Sequence, residues 1–194
     1  MKTTRTYTMT ARAQAVEDTR TRIREALFEL GTTRVFPEIS LEDVAHEAGV
    51  SVQTVLRHFD SRANLIESTI QYAIDRIAHE RVAPEGDVDT ALSVLIDHYE
   101  LRGDTVMLML AQESTDEQVH RLTENGRRMH RDWVRTTFAT AVAGREELVD
   151  LLVVATDIYT WKLLRRDRGL SRATTEERMK TLVRALLPAL ERGT

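Results

Sequence analysis

The segment SLEDVAHEAGVSVQTVLRHFDSRANL, residues 40–65, constrains the fold more than any other part of the chain. Ser40 followed by Asp43 is a capping signature that opens a short helix over 41–48, Ser51 can cap a second over 52–59, and Ser61 a third that runs through Leu65, Ile66, Ile70, Ile74 and Ile77 toward Pro84. Helices of about eight residues do not persist in isolation, so each must be braced by a neighbour. Val44, Ala48, Val50, Val55 and Phe59 supply apolar contacts, Ala45 leaves room for a close crossing, and Gly49 suits the left-handed turn that ends the first helix. A small residue four positions before a turn glycine, with an apolar residue six positions after it, is the spacing of a helix-turn-helix.

With Val55 and Phe59 turned inward, helical periodicity carries Gln53 and Arg57 to the outer face of the second helix. These residue types read bases: glutamine can pair bidentately with adenine, and arginine with guanine, in the major groove. Thr54 and His58 flank them within reach of phosphates. In isolation such residues are most often plain solvated surface; the turn pattern around them favours the recognition reading.

The run AGVSVQTVLRHFDSRANLI resembles the DNA-binding core of tetracycline-repressor-like (TetR) transcriptional regulators, whose pattern runs roughly A-G-V-S-x-x-T-[LV]-Y-x-H-F-x-[SN]-K-x-x-L. Without a gap the resemblance extends back through 41–45 to Phe36, Ala26 and Ile23, and so covers about residues 20–66. It implies that 52–59 is the recognition helix, that Ser40 starts the supporting helix, and that Gln53, Thr54, Arg57 and His58 lie at or near DNA. It also implies that Arg62 meets a phosphate. Leu56 stands where the family usually has Tyr, which removes a hydroxyl donor and keeps an apolar surface for a thymine methyl. Arg62 replaces the usual Lys and keeps the charge. Gly31 and Val35 stand where an aromatic residue and a glycine are common, so the end of the first helix can deviate.

The chain of 194 residues has only 8 Gly and 3 Pro, too few for the frequent tight turns of sandwiches and barrels, and 30% charged residues suit exposed helix faces. The expected class is all-α, a three-helix DNA-binding domain over 16–66 followed by a helical domain over 67–194. Residues 1–15 lack periodicity and read as a flexible basic arm; up to Arg24 six cations face two acids although the whole chain carries a net charge of −4, so the start suits an anionic partner such as DNA. Further helices are expected over 88–101, 106–111, 116–142 and 145–166, with a last one opened by Thr174 and Glu177 and running to Leu190.

With no cysteine, disulfides, thiolate metal sites and cysteine nucleophiles are excluded. His46-Glu47 starts like a zinc-protease motif, but Val50 occupies the place of the second histidine. His130-Arg131-Asp132 lacks the kinase asparagine, with Thr137 in its place, and Gly49-Val50-Ser51 lacks the closing glycine of a nucleophile elbow. No enzyme and no cofactor are expected. The longest uncharged runs, 48–56 and 136–144, reach nine residues, so a cytoplasmic protein without a membrane span is expected.

Apolar stripes mark the last two helices, Leu148, Leu152, Ala155 and Tyr159 on one and Met179, Leu182 and Leu186 on the other. Such stripes are usually intramolecular core. The resemblance implies instead a homodimer interface built from these helices, with an effector pocket between them and the DNA-binding helices. Its candidate lining is Tyr99, Met107, Leu110, Trp133, Phe138 and Trp161, with His98, Gln112, Glu113 and His130 as polar anchors, and a hydrophobic or amphiphilic small molecule as ligand. The implied function is a repressor released from a palindromic double-stranded operator by that effector. An effector-independent regulator, or a helical enzyme or ligand carrier, are the alternatives.

Overall fold

The computed structural model describes residues 3–35 and 38–187, with side chains from residue 13 onward. Phe36 and Leu190 therefore lie outside the described residues, as do the side chains of Lys2, Arg5 and Arg12. All regular structure among the described residues is helical. The chain divides into two compact units at residues 73/74.

The first unit holds α1 (Thr3–Leu30), α2 (Leu41–Glu47), α3 (Val52–Phe59) and the first part of α4 (Arg62–Glu80). Of the stretch expected to be an irregular arm over 1–15, residues 3–15 form the opening turns of α1, which begins at Thr3. The three short-range caps are as the sequence suggests. Ser40 forms a reciprocal capping box with Asp43, Ser51 Oγ accepts the Thr54 amide at 3.1 Å, and Ser61 Oγ accepts the Asn64 amide at 3.1 Å. Gly49 adopts φ +64°, and the chain turns there because the Val50 amide bonds back to Ala45 O at 2.9 Å. Ile23, Leu27, Ile39, Val44, Val55, Phe59, Leu65 and Ile66 are almost wholly buried and make one core.

The second unit packs α5 (Val88–Gln112), α6 (Glu117–Thr137), α7 (Ala139–Val142), α8 (Glu146–Thr156), α9 (Ile158–Lys162), a π-helical turn (Leu163–Asp167) and α10 (Arg172–Leu186) around Leu92, Leu95, Ile96, Val134, Phe138, Leu152, Trp161, Met179 and Val183. No described helix is long and apolar enough to cross a membrane.

Four element boundaries differ from the sequence expectation. The pieces expected over 88–101 and 106–111 are one helix, α5. Gly103 does not break it but makes room for Trp161: a Cβ at this position would lie 2.6 Å from two atoms of the indole. The helix expected over 116–142 ends at Thr137, where Phe138 departs to φ −112° and buries its ring. The helix expected over 145–166 breaks at Asp157, whose extended backbone lets its carboxylate cap the Tyr159 amide at 2.8 Å. The final helix starts with Ser171, not Thr174, as its cap, and Thr174 supplies the amide that the serine accepts.

Gly103 and Gly126 are both helical, and space around them separates their roles. Nothing lies within 4 Å of a Cβ built on Gly126. Gly126→Ala should leave stability unchanged or raise it by up to ~1 kcal/mol, whereas Gly103→Ala should destabilise by about 1–3 kcal/mol through overpacking. Urea unfolding midpoints of the two variants check this, and equal midpoints would refute the tight-contact role of Gly103.

Candidate nucleic-acid interface

Helix α3 buries Val55 and Phe59, fully and almost fully, and its opposite side presents Gln53, Leu56 and Arg57 to solvent with Thr54 and His58 half-buried beside them. Gln53, Thr54, Leu56 and Arg57 together line an open surface depression. Four of the residues expected to meet DNA are thus brought to one place. Leu56 is 38% exposed, so the side chain that replaces the usual tyrosine is free to make an apolar contact. Thr54 shares a 2.9 Å hydroxyl–hydroxyl bond with Ser51, which holds it at the start of the helix.

Both ends of this helix are fixed. Asp60 takes a left-handed φ of +63° and its amide bonds to Leu56 O at 2.7 Å, a sharp stop that the sequence did not announce. Arg20 of α1 donates to the His58 carbonyl and sets its guanidinium 4.6 Å from the centre of the Phe59 ring. Sequence reading counted Arg20 only as part of the basic start; its position a few turns upstream on α1 gave no sign of this contact. Arg24 likewise turns to Glu17 at 2.6 Å, so part of the N-terminal charge excess is neutralised within α1. Burial, then the neighbouring Arg57 and Arg20, push the His58 imidazole below its ordinary pKa. His58 at neutral pH is therefore a hydrogen-bonding group without charge.

Ser40 holds the capping bond that the sequence suggests, while Arg62 turns to the backbone. The Ser40 hydroxyl is engaged with Asp43 at 2.7 Å, and this bond, with the Ser40 amide and Arg34, holds the Asp43 carboxyl down to about 2. Arg62 directs Nε and Nη2 to the Ile39 carbonyl at 3.1 and 3.0 Å. That edge of the guanidinium clips the start of α4 to the residues before α2 and supplies the donor that the carbonyl of buried Ile39 needs.

In the second unit the expected ligand residues separate. Tyr99, Phe138 and Trp161 are buried parts of the core: the tyrosine hydroxyl bonds to Thr156 O at 2.9 Å and the Trp161 indole to Glu100 at 3.0 Å. Met107, Leu110 and Trp133 are half-buried against that core. Glu113 is paired with Arg127 at 2.6 Å and with Thr123 at 2.7 Å, so it is committed to a surface network. His98 and His130 are buried, and beside them lie Arg81 and Arg102, two buried cations that nothing in the sequence pattern distinguished from surface arginines.

Of the expected interface residues, Leu148, Leu152, Ala155 and Met179 are buried inside a single chain and are corrected to core. These four side chains face inward because α8 is covered by α6 and α10 and packs into its own unit's core. Tyr159 and Leu182 are 49% and 45% exposed, and Leu186 is half-buried. Leu151, on the same apolar face in the sequence, and Val154, which the sequence did not single out, are 52% and 65% exposed.

Residues 23–69 match the family described as bacterial regulatory proteins, tetR family. No curated protein matches the chain significantly. Among solved structures, a tetR-family transcriptional regulator from Streptomyces coelicolor is similar at 21% identity, with 89% of each chain covered and a TM-score of 0.65. Salmonella enterica GusR is similar at 19% identity, covering 88% of this chain and 96% of its own, with a TM-score of 0.62. A TetR transcription regulator from Haloarcula marismortui is similar at 16% identity, covering 90% and 98%, with a TM-score of 0.60. At these identities the structural likeness speaks for the fold.

The clip role of Arg62 has a measurable consequence without any DNA. Arg62→Ala should lower stability by about 1–3 kcal/mol, because the charged donor to a buried carbonyl is lost. Thermal unfolding of the free protein checks this. An unchanged midpoint combined with weaker binding to every duplex would restore the phosphate role.

Proposed function

We propose that the protein is a homodimeric transcriptional repressor that leaves a palindromic operator when a small molecule binds its second unit; the match of residues 23–69 to the bacterial regulatory proteins of the tetR family supports the reading. The observation that carries the DNA-reading part is the convergence of Gln53, Thr54, Leu56 and Arg57 on one open surface of a helix fixed at both ends. Arg57 and Gln53 read base edges in the major groove, Leu56 packs against a thymine methyl, and Thr54 and His58 bond to phosphates as neutral donors. Arg57→Ala should weaken operator binding by about 1–3 kcal/mol and relax preference at one base pair of each half-site. Selection of bound genomic fragments by the purified protein supplies the operator, and titration of single-base variants checks the assignment. Failure to enrich any sequence would sink the reading.

Two recognition helices can dock on one face of a duplex only when held roughly 34–36 Å apart, which calls for a dimer. Support for its location comes from the outward side chains of two helices that pack on each other: Leu151 and Val154 on α8, and Leu182 on α10. Leu186 completes the α10 edge. Release by an effector then requires only that it prefer the subunit arrangement with misplaced recognition helices; a hundredfold preference corresponds to about 2.7 kcal/mol.

This placement separates two kinds of variant. Leu182→Glu or Val154→Glu should give folded monomers with little operator affinity, whereas Leu152→Glu should fail to fold, because it buries a carboxylate in a core site with no partner. Light scattering and circular dichroism decide it; a Leu182→Glu, Val154→Glu double variant that remains dimeric would place the interface elsewhere.

A further inference from the structure

Inside the second unit lies a buried guanidinium, that of Arg81, for which the described residues supply no paired carboxylate. Arg81 is 4% exposed, and its Nε–H and Nη1–H groups are buried without an acceptor. Among the described residues no carboxylate pairs with it. The nearby Glu80 is already shared: Arg76 lies 3.1 Å and Arg102 3.5 Å from one of its oxygens, and His98 Nδ1 lies 4.0 Å from the other. Asp157, the other acid near the cluster, caps the Tyr159 amide.

Two histidines close the cluster. His130 Nε2 bonds to Thr156 Oγ1 at 3.1 Å, and that hydroxyl in turn donates to Leu152 O at 2.7 Å, so Nε2 carries the proton. His130 Nδ1 and His98 Nδ1 are both buried with no hydrogen-bond partner. The walls are aromatic. Trp133 stacks on His130 at 5.6 Å and ties its indole N–H to the Arg81 carbonyl at 2.9 Å, while the Tyr99 ring lies 5.6 Å from the Arg81 guanidinium.

A buried guanidinium without a counter-charge is among the most costly arrangements a core can hold, and proteins keep one chiefly where a partner arrives later. We infer that Arg81, with His98 and His130 beside it, receives the acid group of a small organic anion whose apolar body lies against Trp133. This rests on the effector reading above and names the ligand's chemistry: a carboxylic acid with an aromatic or aliphatic body, not a neutral lipid-like molecule. Aromatic walls favour such a molecule over a free inorganic oxyanion. Burial and Arg81 now push His130 down to about 3 and hold His98 well below its ordinary value. A carboxylate placed among these groups reverses that repulsion, and each imidazole can then serve as a second donor.

The test uses the full chain in two separate assays. Thermal unfolding and calorimetry without DNA compare benzoate and octanoate with their neutral counterparts benzamide and octanamide, and with inorganic phosphate. The acids should bind at least tenfold tighter than the amides and raise the melting temperature, and Arg81→Met should remove that preference. Free of ligand, Arg81→Met should be as stable as the unaltered protein or more so, since the substitution removes an unbalanced charge; Arg81→Lys should keep a weakened preference. Acids and amides that bind equally, or acids that bind without regard to Arg81, would overturn the inference and leave internal water as the partner of these groups. Phosphate binding as tightly as benzoate would also overturn it. Duplex binding is measured on the same samples: a protein that binds DNA but neither acid defeats this inference alone. One that binds benzoate through Arg81 but no duplex supports the site and defeats the regulator reading.

Discussion

An eight-residue helix that has to project side chains at a fixed angle depends on what holds it from behind. For α3 this is the burial of Val55 and Phe59, joined to Ser51 at one end and to Arg20 and the Asp60 turn at the other. Isolated helices of this length are marginal. Here Ser51 accepts the Thr54 amide at the first turn, and at the last the carbonyls of Leu56 and His58 accept from the Asp60 amide and Arg20, so both ends are held. Gln53 and Arg57 are simple exposed residues; their meaning comes from the rigidity beneath them.

The same logic runs through the clip at Arg62. Two hydrogen bonds to the carbonyl of Ile39 fix the backbone immediately before the Ser40 capping box, and the box fixes the start of α2. A basic residue at the entrance of α4 can serve either phosphate or fold, and the direction of its side chain decides which. In this protein the guanidinium is committed to the fold, so the outward positive charge near α3 falls to Arg57 and to residues of α1.

The second unit is organised differently. Its outer surface is laced with ion pairs that join α5 to α10 and to the π-helical turn: Lys180 and Arg184 to Asp89, Arg165 to Glu100, and Arg166 to Asp104. Its centre is held by Trp161, seated against the bare backbone of Gly103 and tied to Glu100. Beneath that surface the Nε–H and Nη1–H groups of Arg81 are buried without an acceptor among the described residues.

Local chemistry was legible in the sequence wherever one residue acts on its near neighbours. The serine caps at 40, 51 and 61, the left-handed Gly49 and the inward pair Val55 and Phe59 all follow from spacing within a few residues, and so does the outward face of α3. Chain-distant partners were not legible. Nothing in the one-dimensional pattern ties Arg20 to the end of α3, Arg62 to Ile39, or Gly103 to Trp161. The apolar stripes of the last two helices show the general limit: periodicity identifies an apolar face but not what covers it. Leu148, Leu152 and Met179 went to the subunit core because α5, α6, α8 and α10 surround it, leaving Leu151, Val154 and Leu182 outside. The sequence by itself determined the caps, the two short helices over 41–48 and 52–59 and the outward face of the second, because these depend on contacts within a turn or two. Only the tertiary structure decided which charges were buried and unpaired, because desolvation is a property of everything packed around a group, and none of it is adjacent in the chain.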